Sequence, residues 1–330
     1  MKLLLIWACC AALWAQDPPE LFHGSKPIVD AHNCYPYEGR WADRIDRALG
    51  TGSPVGIEQD LAWSVDAASG LGRVVVSHSS KTTGREPTLK DYFFEHVRPL
   101  VERALRENDR SRWPLIVVHF DIKDNRAELH HAVWNLLGAY ESWITTALKT
   151  ADDHKLARLD VKPLLVLTED NDAQEKVFFN QVPLGSKLRL FGSAHTSTIP
   201  GASDRERAHA AATLPPEALL ADRPTNYRRW WNSSWQVVEE GGQRAAGEWT
   251  ARSEKRLRAL VDHAHKLGFC IRFYTLDGFA ATDNRGWDEG YNFGSLQAVR
   301  ARWRAAISAR VDLIATDQYE DLADMMRQPR

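Results

Sequence analysis

Glu58 and Asp60 stand two residues apart after the apolar run Val55-Gly56-Ile57. Strand side chains alternate faces, so these two carboxylates point the same way and can chelate one hard cation through oxygen. Burying two acids on one face without such a partner is costly. His32 ends the run Ile28-Val29-Asp30-Ala31, and His78 follows Val74-Val75-Val76-Ser77, so each imidazole also sits at the end of a strand-like segment. Two imidazoles beside a carboxylate-held cation suit acid–base cleavage of an anionic ester. The cation neutralises the substrate while one ring takes a proton and the other returns it.

Val118-His119-Phe120-Asp121-Ile122-Lys123 supplies a third acid, Asp121, and two residues on, on the same face, Lys123. A lysine there can hold a substrate phosphate as a point charge. Three carboxylates and water suit Mg²⁺ or Ca²⁺; no Cys or paired His lies at the spacing a zinc site uses. Arg272 and Tyr274 share one face of a later strand and line the same mouth as substrate contacts, although an Arg there also serves as charge partner to the acids. Trp230, Trp231 and Trp235 flank Asn232-Ser233-Ser234; of these, Trp235 is placed against the substrate as an apolar wall, with core packing as the competing account.

These residues are far apart in the chain, so a particular set of elements must gather them. Apolar, β-rich runs recur at 27–32, 55–61, 115–122, 163–168, 187–191, 269–274 and 311–315, with a weaker one at 225–231 and an extra hairpin strand at 73–78. Between them, 92–107, 127–149, 253–267 and 296–308 carry apolar residues at helical spacing. Eight strands alternating with helices predict a single (β/α)8 barrel of TIM type, in which the C-terminal strand ends converge on one face. The segment 198–223 keeps neither period and reads as an irregular excursion with a short helix, and 282–293, with Trp287 and Tyr291, as a loop on the catalytic face.

A chain of 330 residues with 44% apolar content and no Pro/Gly/Ser-rich linker fits one barrel-sized domain. Lys2, the apolar run Leu3 to Trp14, and Ala15 before Gln16-Asp17 read as a signal peptide over 1–15, leaving 16–330 as the barrel in a secreted or periplasmic protein. A lipoprotein anchor is the minor alternative. No stretch reaches the roughly 18 apolar residues of a transmembrane segment. A formal net charge of -2 gives no basic footprint for nucleic acid or anionic membranes. Cys34 ends one strand and Cys270 begins another, so in a parallel barrel they lie at opposite ends, beyond disulfide reach.

The pattern resembles the phospholipase C-like phosphodiesterases, the superfamily of glycerophosphodiester phosphodiesterases and sphingomyelinase D. In that family a His ends the first strand, a Glu-x-Asp pair ends the second and another His follows a short apolar strand, as do His32, Glu58, Asp60 and His78. Phe120-Asp121-Ile122-Lys123 resembles the Phe-Asp-Leu-Lys motif of the sphingomyelinase D side, and Phe273-Tyr274-Thr275 and Ile314-Ala315-Thr316-Asp317 resemble its C-terminal motifs. His32-Asn33-Cys34 stands where glycerophosphodiesterases carry His-Arg-Gly, and Ser79 where Asp usually follows the second His. The resemblance implies a phosphoric diester hydrolase acting on a phospholipid or glycerophosphodiester. His32 and His78 would be its acid and base, around a cation held by Glu58, Asp60 and Asp121. Two alternatives stand beside it. Asp30-Ala31-His32 resembles the opening of amidohydrolase barrels, with His195 as a later strand-end ligand, and a non-catalytic barrel could bind a phosphorylated ligand.

Overall fold

A computed structural model describes residues 26–37, 40–66, 68–280, 282 and 292–328. The segment 1–15, expected as a signal peptide, and Trp287 and Tyr291 lie outside the described residues. In chain order the strands are β1 (Ile28–Ala31), β2 (Val55–Val65), β3 (Gly72–Val76), β4 (Ile116–Ile122), β5 (Thr146–Leu148), β6 (Leu159–Asp160), β7 (Leu164–Thr168), β8 (Lys187–Leu188), β9 (Phe191–Ser193), β10 (Arg228–Ser234), β11 (Cys270–Tyr274) and β12 (Leu313–Thr316).

Strands β1, β2, β4, β7, β9, β10, β11 and β12 pair in parallel, and β1 pairs with both β2 and β12, so the sheet closes on itself as a (β/α)8 barrel. Strands buried on both faces read as near-continuous apolar runs, and β4, Ile-Val-Val-His-Phe-Asp-Ile, is buried at every position except Asp121. Closure also depends on Gly56. It stands opposite Asp30 in the β1–β2 register, and a Cβ there would lie 2.2 Å from the Asp30 carboxylate. Asp30 is thereby free to meet Arg272 inside the barrel, where both are almost fully buried.

The outer helices follow their sequence signals. Ala251–Leu267 is capped by Thr250, buries Leu257, Leu260, Val261 and Ala264, and stops at Gly268, whose φ of +100° suits glycine. Leu296–Ala309 is capped by Ser295. Where an irregular excursion is expected, Ser203 and Glu206 form a capping box that starts Asp204–Thr213, followed by the turn of helix Pro216–Leu219.

Three expected elements shift. The helix beginning at Ala127 ends at Ala139 rather than continuing to Lys149; beyond it Tyr140 and Ile144 are buried and Leu148 lies exposed at the end of β5, which joins β6 and β8 in a small antiparallel sheet. The strand expected at 187–191 divides, with β8 in that small sheet and β9 in the barrel. The strand expected at 225–231 forms three residues later, which carries Asn232 to the mouth. Cys34 and Cys270 are free and buried. No helix among the described residues is long and apolar enough to cross a membrane.

Candidate active site

The register of β2 against β4 sets Glu58 beside His119 and Asp60 beside Asp121. The ladder continues one step, with the Lys123 amide donating to the Leu61 carbonyl at 2.8 Å, so Lys123 joins the same mouth. β3 turns back along the end of β2, and the Ser77 amide donates to the Asp60 carbonyl, which brings His78 over the acids. β1, β11 and β12 deliver His32, Arg272 and Asp317.

A cavity of about 320 Å³ collects His32, Asn33, Glu58, Asp60, His78, Asp121, Lys123, Glu169, Asn232, Arg272 and Tyr274. All the expected site residues except Trp235 are therefore together. Trp235 is a correction: it is fully buried, packs edge-on against Phe273, and donates its indole N–H to Glu239 Oε2 at 2.7 Å. Glu239 in turn pairs with buried Arg302 at 2.7 Å. An indole buried whole needs an acceptor, and Trp235 finds it inside the protein, away from the cavity. His195, the strand-end ligand an amidohydrolase would need, is half-exposed outside the cavity and pairs with Asp170 at 3.1 Å.

Each imidazole is oriented by a carboxylate. His32 Nδ1 meets Asp317 Oδ1 at 2.9 Å, and its Nε2 lies 3.5 Å from Glu58 Oε2. Burial disfavours its charged form, but Glu58 and Asp317 outweigh this and push its pKa up to about 9. His78 Nδ1 meets Asp60 Oδ2 at 2.7 Å, and the Tyr35 hydroxyl donates to the same Asp60 oxygen at 2.7 Å. A ring that donates from Nδ1 presents Nε2 as its acceptor in the neutral form.

One oxygen from each of Glu58, Asp60 and Asp121 lies within 4.8 Å of the others. Despite its burial, Glu58 is held well below the usual carboxylate range by His32 and Arg272. Asp121 is pushed up to about 6, first by burial and then by Asp60. Lys123 Nζ bridges Asp60 at 3.0 Å and Asp121 at 2.7 Å, and these acids hold its charge on despite burial. Three hard oxygen donors, one still under-compensated beside a lysine, fit a hard dication of the Mg²⁺ or Ca²⁺ kind.

Five further residues complete the site. His119 is buried, meets Glu169 Oε1 at 2.5 Å and lies 3.5 Å from Glu58 Oε1; although burial opposes its charge, Glu169 pushes its pKa up to about 9. Asn232 donates to the same Glu169 oxygen at 2.9 Å and accepts from Arg272 at 3.1 Å. The Asn33 amide donates to Glu58 Oε2 at 2.8 Å, and Asp317 anchors both His32 and buried Arg44. His119 was accessible to the alternation rule, being two and four residues before Asp121 and Lys123. Glu169, one acid after a strand, carries no such signal.

The fold and the site together define a (β/α)8 barrel with an acid- and histidine-rich centre at the C-terminal strand ends. No family model matches the chain, and no curated protein does. Similar solved structures include an HPPK-DHPS in complex with substrates, at 9% identity and TM-score 0.44, covering 92% of this chain and 48% of that one. A Plasmodium falciparum HPPK-DHPS triple mutant with SDX-DHP gives 10% identity and TM-score 0.42 over 93% of this chain and 48% of that one. The chain thus spans about half the length of these structures.

Proposed function

We propose that this protein is an exported, divalent-cation-dependent phosphoric diester hydrolase acting on a phospholipid or glycerophosphodiester. The observation that carries the reading is the three-carboxylate cluster of Glu58, Asp60 and Asp121, which shares one cavity with two carboxylate-oriented histidines. Glu58, Asp60 and Asp121 would hold Mg²⁺ or Ca²⁺, which when bound neutralises the diester and polarises its phosphorus–oxygen bonds. Lys123 offers an ammonium to a non-bridging phosphate oxygen, and Arg272 keeps Glu58 ionised. Tyr274, stacked on His32 with centroids 6.5 Å apart, closes that side of the cavity. His32 and His78 divide the proton work. One takes the proton of the attacking hydroxyl, from water or from the substrate itself, as the new oxygen–phosphorus bond forms. The other gives a proton to the leaving oxygen as the old bond breaks.

The test is an assay of the chain without residues 1–15 on bis(p-nitrophenyl) phosphate, glycerophosphocholine, phosphatidylinositol, lysophosphatidylcholine and sphingomyelin, after EDTA treatment and with Mg²⁺, Ca²⁺ or Zn²⁺ restored. Cleavage that EDTA abolishes and Mg²⁺ or Ca²⁺ restores is expected, with His32→Ala and His78→Ala each losing about 10²–10⁴-fold in rate. A folded protein that cleaves no diester with any cation, or full activity in both variants, overturns the reading.

A further inference from the structure

His78 belongs to the walls of two cavities. The second is a space of about 690 Å³ whose lining holds none of Glu58, Asp60 and Asp121, bounded by Pro36, Tyr37 and the loop from Val76 to Pro87. Tyr37 packs edge-on against the His78 ring at 6.0 Å, so this cavity begins at the reacting centre and is about twice its size. The loop is pinned at its base: Val75 bridges Thr88, and the Val76 amide donates to the Pro87 carbonyl at 2.9 Å. It is also braced from inside, since Arg73 donates to the Gly84 carbonyl at 2.7 Å.

Among the described residues the cations of this cavity outnumber its acids. Lys81 and Arg85 both line it, and neither has a carboxylate partner among the described residues. Glu86, the one acid in the wall among the described residues, spends its oxygens on the loop, accepting from the Thr83 amide at 2.6 Å, the Thr83 hydroxyl at 2.8 Å and the Gly84 amide at 2.9 Å. The Ser77 hydroxyl donates to the Ser79 carbonyl at 2.9 Å and the Thr83 hydroxyl to Glu86, whereas the Ser79 hydroxyl accepts from the Lys81 amide at 3.0 Å and keeps its own proton for the cavity. Two cations without carboxylate partners beside the Ser79 hydroxyl, on a braced loop, match a multiply charged oxyanion.

We propose that this second cavity binds a phosphomonoester carried on the non-reacting arm of the substrate, so that the protein prefers diesters bearing a second phosphate. The inference rests on the hydrolase reading and names its substrate class. A diester seated on the acid cluster extends past His78 into the cavity, where Lys81 and Arg85 meet the second phosphate without touching the reacting atoms.

The test compares the p-nitrophenyl phosphodiester of 1,3-propanediol with the same compound carrying a phosphate on its far hydroxyl. Turnover is followed together with calorimetric binding of 1,3-propanediol monophosphate and bisphosphate. The phosphorylated diester should show a KM about tenfold lower, as two solvent-facing charge contacts allow. That advantage should vanish in about 1 M NaCl, where the Debye length is about 3 Å, and in Lys81→Ala/Arg85→Ala, a variant in which turnover of the unphosphorylated diester stays unchanged. Vesicles of phosphatidylinositol with and without a 4-phosphate repeat the comparison; a preference for the soluble arm assigns recognition to the phosphate alone, and one confined to vesicles assigns it to a lipid headgroup. Equal KM values and equal bisphosphate and monophosphate affinities in the wild type overturn the proposal, as does a preference that survives the double substitution. If neither diester is cleaved, the hydrolase reading fails, and calorimetry on the two phosphates still decides what the cavity binds.

Discussion

Lys123→Met should make the protein bind Mg²⁺ or Ca²⁺ more tightly while making it a poorer catalyst. Lys123 Nζ contacts Asp60 at 3.0 Å and Asp121 at 2.7 Å, and both carboxylates belong to the three-oxygen cluster. A hard cation coordinated at about 2.0–2.6 Å needs those same oxygens, so the ammonium must give way. Hydrogen bonds to charged groups contribute about 1.5–3 kcal/mol net. Two would sum to more, but the lysine side chain is 22% exposed and regains water as it moves aside. Counting the pair as a single such contact, about 1.5–3 kcal/mol of competition disappears in the methionine variant, or roughly ten- to hundredfold in Kd. Methionine keeps much of the apolar stem, so the cavity wall stays filled. Calorimetric titration at about pH 8, where Asp121 is ionised, measures this directly, and Asp121→Asn should move Kd the opposite way. The loss of turnover follows because the substrate phosphate loses its point charge. An unchanged or weaker cation affinity in Lys123→Met would refute the reasoning, since the lysine would then not compete for the cluster.

Four other substitutions concern the frame around the site. Glu239→Gln should lower unfolding free energy by about 3–5 kcal/mol in urea titrations, because it leaves Arg302 buried without its charge partner; Trp235→Phe should cost less and leave KM unaltered, whereas a rise in KM alone would return Trp235 to the substrate. Gly56→Ala should destabilise by about 1–3 kcal/mol or more, since its Cβ meets the Asp30 side chain and backbone where β1 joins β2, and an unchanged melting midpoint would count against that close approach. Burial first, and then the neighbouring Asp317, push the Asp277 carboxyl up to about 7. The folded state therefore holds a proton that the unfolded chain releases, so this group's contribution is full below about pH 4 and is lost as pH rises to about 7. Asp277→Asn should remove that component from stability measured across the range, and identical pH profiles for the two proteins would exclude it.

What was legible in the chain divides along physical lines. Barrel strands buried on both faces have little choice but to read as apolar runs, which is why β1, β2, β4, β7, β11 and β12 stand out. Their polar ends stand out for the opposite reason, because an acid or imidazole closing such a run has to be used or solvated. Alternation then places Asp60 with Glu58 and Lys123 with Asp121. Applied once more along β4, it reaches His119, and from there the geometry leads to Glu169 and Asn232. Helix ends are less legible. Apolar spacing continues past Tyr140, yet no local signal tells whether Ile144 and Leu148 serve a helix or a strand, and the small sheet that claims β5 is assembled from segments far along the chain.

Trp235 shows the same limit at a single residue. Its neighbours Trp230, Trp231 and Asn232 belong to a strand that reaches the mouth, and sequence proximity alone puts it there too. What removes it is a partner set split across the chain: Glu239 is one helical turn away, but the charge that makes Glu239 tolerable in the core comes from Arg302. A local pattern can therefore nominate polar residues at strand ends, because their cost is local. It cannot assign a large amphipathic side chain to core or cavity, because that depends on which distant group satisfies its polar atom. His78 is the converse case: its strand is short and peripheral, yet the turn that carries it back over Asp60 makes it the shared wall of both cavities.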